Sequence, residues 1–361
     1  MKRRDLGKVL SIGVIGTAVT QTKTAHSKPK KALMHVGTQH FASYSDTDLQ
    51  YLKRHGVNNL CGADPKYIPG KGWELEDVLK SKDKCEKYGI RLDMMQMEMS
   101  IATVDDKQLP NIILGKSPER DREIEDVQNM IKIASKAGLK GLKYNFNILG
   151  VLRTESTPGR GGSSYSTWEL DKATDKSLTI AGRVPAEEFW KRGTYFLERV
   201  VPVAEEYNIN LACHLHDPPF PLGFRGSDRI LGTVDGMKKW IAINESPRHG
   251  FNLCIGSLAE GLKDSGKEVY NIVQYFGERK KIFHVHLRNL KGGRDSFQEV
   301  YPDNGDMDFY RVVKILGETE YPYMVCPDHM PGHPDDRGGR QAFAFGYGYI
   351  KAMIQAVNSE A

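Results

Sequence analysis

Between residues 210 and 330, four short apolar runs each end in a side chain able to hold a divalent cation. They read NLACHLHDPP (210–219), GFNLCIGSL (250–258), KIFHVHLRN (281–289) and YPYMVCPDHM (321–330). His214, Cys254, His286 and Asp328 are the coordinating types at these ends. A set mixing nitrogen, sulfur and oxygen suits Mn²⁺, Fe²⁺ or Zn²⁺ better than Ca²⁺, and a thiolate disfavours Mg²⁺. Singly, each residue says little. A lone strand histidine is more often a hydrogen-bonded core residue, and a lone cysteine is more often simply buried. The signal is that four such residues close four successive runs. Two pairs leave a choice open, because His214 and His216, like His284 and His286, are two residues apart and share a strand face. One of each pair suffices for an ion, and the other is free to hydrogen-bond a ligand or the substrate.

A second polar set accompanies these residues. Lys143, Tyr144 and Asn145 lie in an earlier apolar run, and Arg153, Thr154 and Glu155 begin the loop after it. Arg288 and Asn289 follow His286, His329 follows Asp328, and Tyr347 lies in the final segment. A guanidinium can bind a carboxylate through two hydrogen bonds, so arginines beside a metal suit a sugar acid or polyol. Arg153 and Arg288, with Asn145, His216 and Asn289, are the expected substrate-binding residues. Any one of these arginines could equally be a surface ion pair.

The elements that must position these side chains alternate regularly. Strand-like runs at 32–39, 58–63, 91–99 and 141–148 precede the four above, and amphipathic helical patterns separate them. Several helices stop at Gly or Asn just before the next strand, and Asp46 and Thr233 stand at expected N-caps. Eight strands, each followed by a helix, predict a (β/α)8 TIM barrel over residues 31–361, with the candidate ligands at its C-terminal mouth. An open doubly wound sheet is the alternative, but the first strand is followed by QHFASYSDTD rather than a glycine-rich phosphate loop. Insertions at 149–184 and 218–233 would overhang the mouth as lids or substrate clamps.

The first 30 residues stand apart. MKRRDLGK carries the pair Arg3–Arg4, a weakly apolar stretch follows, and small residues come near Ala25 and Ser27. That is the layout of a twin-arginine export signal, so a periplasmic location is expected, and the apolar stretch is too short to span a membrane. A net charge of +5 over 361 residues carries no nucleic-acid footprint. Five scattered cysteines without a CxxC pair imply neither a disulfide framework nor a structural zinc site. A homo-oligomer is compatible with all of this.

At HLHDPP, FNLCIGSL, HVHLRN and CPDH the sequence resembles the mannonate dehydratase family. KYNFNILGVLRTE (143–155) and DSFQEVYPDNGDMDFYRVVKIL (295–316) match two further motifs of that family. The resemblance implies a xylose-isomerase-like barrel that holds Mn²⁺ or Fe²⁺ and converts D-mannonate to 2-keto-3-deoxy-D-gluconate and water. It also implies His214, Cys254, His286 and Asp328 as ligands, with His329 and Tyr347 as the catalytic pair. The chain departs from the family pattern at His216, where Asp is usual, at Val151, where Trp is usual, and at Glu155 in place of Asp. The family is mostly cytoplasmic, in contrast to the export signal. Two other readings compete: a metal-dependent isomerase or epimerase acting on a neutral sugar, and an exported sugar-binding protein without activity.

Overall fold

The computed structural model describes residues 31–40, 44–62 and 65–360. The proposed export signal lies outside them. Within them, eight parallel strands alternate with eight helices of nine residues or more. They are β1 (His35–Val36), α1 (Asp46–Arg54), β2 (Asn59–Cys61), α2 (Leu75–Lys87), β3 (Arg91–Gln96), α3 (Glu119–Lys136), β4 (Gly141–Asn145) and α4 (Ala186–Glu206). The second half continues as β5 (Asn210–His214), α5 (Val234–Ala242), β6 (His249–Cys254), α6 (Ser265–Glu278), β7 (Ile282–Leu287), α7 (Phe309–Glu318), β8 (Met324–Pro327) and α8 (Arg340–Ser359). The strands pair in sequence order, β1 pairs with β8, and a parallel bridge from Thr38 to Leu60 brings the first strand back to the second. This is the expected TIM barrel, of the α/β class.

The strands are short and buried on both faces, which is why they read as nearly continuous apolar runs. Cys61, Met94, Ala212, Phe283, Met324 and Cys326 pack together as one buried cluster of strand residues. Outside the barrel, aromatic side chains tie strands to helices: Phe146 packs on Phe189, Phe196 and Trp240, all within 5.7 Å between ring centroids. Helix starts follow local chemistry. Thr233 caps α5 through Gly236 N as expected, but Ser45 rather than Asp46 caps α1. Ser45 accepts from Asp48 N while the Asp48 carboxylate accepts from Ser45 N, a reciprocal box that Asp46 has no partner to build.

Two features went unread in the sequence. The run ending at Cys254 is strand only to that residue; 255–260 form a helical turn with Cys254 as its N-cap. Asn289–Gly293 and Ser296–Val300 form a hairpin beside the mouth, and Thr167–Glu169 of the insertion joins it as a third strand. The insertion is therefore built into the wall of the mouth, with Trp168 buried, rather than draped over it.

Candidate metal centre and active site

Three strand ends meet at one point. The donor atoms of His214, Cys254 and His286 lie within 4.8 Å of one another, all buried. Asp328, just past β8, brings Oδ2 to 3.5 Å from His286 Nδ1 and 3.8 Å from Cys254 Sγ. The four residues expected as ligands are thus gathered by four consecutive strands of a closed sheet. Ligands at about 2.0–2.3 Å from one ion span distances of this size.

Tautomers favour the same conclusion. His214 Nδ1–H donates to the Leu215 carbonyl at 2.6 Å, which leaves Nε2 with its lone pair. His286 Nε2 lies 3.2 Å from the Asn252 amide, whose Oδ1 has no hydrogen-bond partner among the described residues, while His286 Nδ1 faces Asp328 Oδ2. Turning that amide end for end lets Oδ1 accept from Nε2–H and points the Nδ1 lone pair at the cluster. Burial, with the His286 and Lys143 charges, depresses His214 to about 3. Burial outweighs the pull of Asp328 and depresses His286 to about 4, so both imidazoles are neutral at pH 7. Burial pushes the Cys254 thiol up to about 12, so a cation must displace its proton to bind.

Beside this cluster lies a buried ionic network. Arg153 pairs with Asp217 at 2.6 Å, with Glu260 at 3.2 Å and with Glu299. Arg288 pairs with the same three, at 2.9, 2.8 and 2.5 Å, and donates to Ser257 Oγ at 2.9 Å. Two guanidinium groups face three carboxylates, so the network favours holding one extra proton. Burial and the neighbouring Asp217 charge hold Glu260 well above the carboxylate range. Burial would raise Glu299, but Arg288 and His329 outweigh it and hold Glu299 at about 2. Burial would lower His329, but Asp328 and then Glu299 win and raise it.

His329 is about a third exposed, with Nδ1 at 2.9 Å from Glu299 and Nε2 at 3.9 Å from Asp328. Its backbone sits at φ 44°, the left-handed region that β-strand alternation never visits. That turn is what lets neighbours 328 and 329 face the same mouth. A strained backbone of this kind is common at functional sites.

Other expected residues fall differently. Asn145 ends β4 opposite His214, with a buried Oδ1 lacking a partner among the described residues, so it stays in place to meet a ligand. His216 does not share the face of His214, because the strand stops at His214; its Nε2 bonds the Phe146 carbonyl at 2.7 Å and its ring stacks on Phe189. His284 sits a layer deeper, 3.1 Å from Cys326 Sγ. Asn289 is consumed by the hairpin, donating to Pro302 O and Met307 O and accepting from Leu290 N and Met307 N. Arg153 and Arg288 are held in the network rather than free for a carboxylate. Tyr347 is fully buried on α8, its hydroxyl 2.7 Å from Thr38 Oγ1 and its ring against Phe343 and Tyr51. In this geometry it is not placed to exchange a proton with a substrate.

Sequence reading missed Asp217, Glu260 and Glu299, although Asp217 and Glu299 stand inside quoted motifs. It also missed His40 and Gln39, which lie 3.3 and 3.1 Å from Asp328 Oδ1. No local signal marks those two, since β1 is only two residues long.

A family model described as D-mannonate dehydratase (UxuA) matches residues 34–180 and 164–359. The chain is 29% identical to mannonate dehydratase from Thermotoga petrophila, covering 84% of this chain and 91% of the relative. It is 28% identical to mannonate dehydratase from Shouchella clausii, covering 76% of this chain and 82% of that one. Mannonate dehydratase from Streptococcus suis serotype2 superposes with a TM-score of 0.78 at 24% identity, covering 90% of this chain and 94% of that chain. A xylose isomerase domain protein from Planctomyces limnophilus superposes with a TM-score of 0.58 at 12% identity, covering 91% and 99%. At those identities the structural likenesses speak to the fold alone.

Proposed function

The chain belongs to the D-mannonate dehydratase family, a family of metal-dependent hydro-lyases, and we propose from that premise how this site works and on what. The substrate is D-mannonate and the products are 2-keto-3-deoxy-D-gluconate and water. His214, Cys254, His286 and Asp328 hold the divalent ion, Mn²⁺ first and Fe²⁺ second, because their mixed donor set suits a borderline cation. The observation that carries this reading is the convergence of His214, Cys254 and His286 within 4.8 Å at the mouth, with Asp328 against two of them.

Dehydration removes the proton at C2, next to the carboxylate, and expels the C3 hydroxyl. The ion, when bound, supplies Lewis-acid stabilisation of the charge that builds on the carboxylate side. The chain supplies the proton transfers. His329 is the imidazole that opens onto the mouth beside Asp328. Its Nδ1 lies 2.9 Å from Glu299 Oε1 and 2.7 Å from Arg288 Nη1, so these two groups hold the ring by that nitrogen and leave Nε2 to exchange a proton. Asn145 Oδ1 accepts from a substrate hydroxyl. With Tyr347 sealed behind Thr38, His40 is the second partly exposed imidazole beside Asp328 and takes the complementary role.

The decisive assay uses mature protein loaded with Mn²⁺ and incubated with D-mannonate. A 2-keto-3-deoxy acid should form, and should vanish on chelation and in Cys254→Ala. A metal-holding protein that forms none would refute the substrate and leave a neutral-sugar isomerase or epimerase as the reading to test.

Export through the twin-arginine route is part of the proposal, supported by Arg3–Arg4 and the weakly apolar stretch behind them. No helix among the described residues is long and apolar enough to cross a membrane. Cell fractionation should find the protein in the periplasm and find Arg3→Lys with Arg4→Lys retained inside. Equal distribution of the two would count against export by this route.

A further inference from the structure

A sugar acid needs a cation for its carboxylate, and the two arginines expected to supply it are committed elsewhere. Each of Arg153 and Arg288 is shared among Asp217, Glu260 and Glu299. Neither can turn a two-pronged face to a ligand without abandoning a buried carboxylate, which is costly.

Lys143 is placed differently. It lies on β4 two residues before Asn145 and pairs in register with Ala212 of β5, itself two residues before His214. Tyr144 packs outward on Phe196 of α4, so alternation turns Lys143 into the barrel. Nζ donates to Gln39 Oε1 at 2.6 Å, and Gln39 Nε2 in turn donates to Asp328 Oδ1 at 3.1 Å. The ammonium is therefore one side chain away from the candidate ligand set, and its charge contributes to depressing both His214 and His286. Among the described residues no carboxylate pairs with it, and its side-chain hydrogen-bond partner is a neutral amide oxygen. The residue is half-buried. A cation so placed, with donor capacity to spare, is complementary to an anionic group on the substrate.

We propose that Lys143 binds the substrate's carboxylate and sets the preference of this site for sugar acids over neutral sugars. The proposal rests on the sugar-acid reading above. It also assigns Gln39 a purpose: the amide holds Nζ on one side and Asp328 on the other, so the ammonium and the ligand set keep a fixed spacing.

The test uses two probes, a six-carbon aldonate lacking the C3 hydroxyl, which cannot lose water, and the matching polyol without the carboxylate. Each is titrated calorimetrically into Mn²⁺-loaded wild type, Lys143→Met and Lys143→Gln. Wild type should bind the aldonate more tightly. Both variants should lose about 10- to 100-fold of aldonate affinity, the worth of a charge-assisted hydrogen bond, while keeping polyol affinity and bound metal. Aldonate affinity unchanged in both variants overturns the proposal, even where wild type dehydrates D-mannonate. Wild type that binds the two probes equally overturns the sugar-acid reading and the proposal with it. Parallel loss of aldonate, polyol and metal binding makes Lys143 a support of the fold and also overturns it.

Discussion

Cys254 carries the sharpest consequence at the scale of single residues. Its buried thiol sits at about 12, while His214 and His286, at about 3 and 4, are already neutral at pH 6. Binding of a cation should then release about one proton, from sulfur, and the logarithm of metal affinity should rise with a slope of about one per pH unit between pH 6 and 8. Competition titration with a chelator measures this, and a flat profile would remove the thiolate from the ligand set. His329→Asn should hold metal as wild type does and lose turnover; full activity in that variant would sink the proton-transfer role. The network makes a paired prediction. Burial and Asp217 favour the neutral form of Glu260, so Glu260→Gln should cost less stability than the same change at Glu299, which is held at about 2, is shared by Arg153, Arg288 and His329, and should cost about 3 kcal/mol as Gln. Urea unfolding of the two variants compares them, and equal losses would contradict this distribution of charge.

The elements matter here through their ends. β6 stops at Cys254 because the next residues turn helical, with Ser257 N donating to Cys254 Sγ at 3.4 Å. That turn passes directly over Arg288: a Cβ on Gly256 would fall on Arg288 Nε, well inside van der Waals contact. Gly256→Ala should therefore destabilise by about 2 kcal/mol, the range for overpacking a filled site, and should disturb the ionic network before it disturbs the metal cluster. A urea midpoint equal to that of wild type would show that Arg288 can yield. The insertion after β4 belongs to this scale too. Its strand 167–169 completes a sheet with 289–293 and 296–300, and Val184 N donates to Gly226 O at 2.7 Å. Residues 149–184 and 218–233 thus brace each other at the rim.

For the molecule as a whole, burial of neutral histidines makes stability depend on pH. His214, His249 and His286 are depressed to about 3, 3 and 4, chiefly by burial, against an unfolded value of about 6.5. As pH falls, the unfolded chain takes up these protons first, so stability is complete above about 6.5 and is lost below it. Metal-free protein should unfold at a lower urea concentration at pH 5 than at pH 7, and equal midpoints would contradict the neutral burial of these rings. The barrel itself was legible in the sequence, because strand runs separated by amphipathic helices of regular length admit few closed arrangements. So were the four candidate ligands, since a parallel barrel puts the last residue of every strand at one mouth whatever the loops do. What alternation could not decide was where alternation ends. His216 lies past the last residue of β5 and turns outward, and His329 reaches the mouth only through a left-handed turn. Whether Arg153 and Arg288 are free or paired depends on Asp217, Glu260 and Glu299, which come from separate segments of the chain. The burial of Tyr347 depends on how α8 packs against Thr38. The sequence determined the periodic part of this protein; the tertiary structure alone decided which polar groups meet, because those contacts join separate elements, from Arg288 just before the hairpin and Glu299 in its second strand to Thr38 and Tyr347 at opposite ends of the chain, where no local pattern reaches.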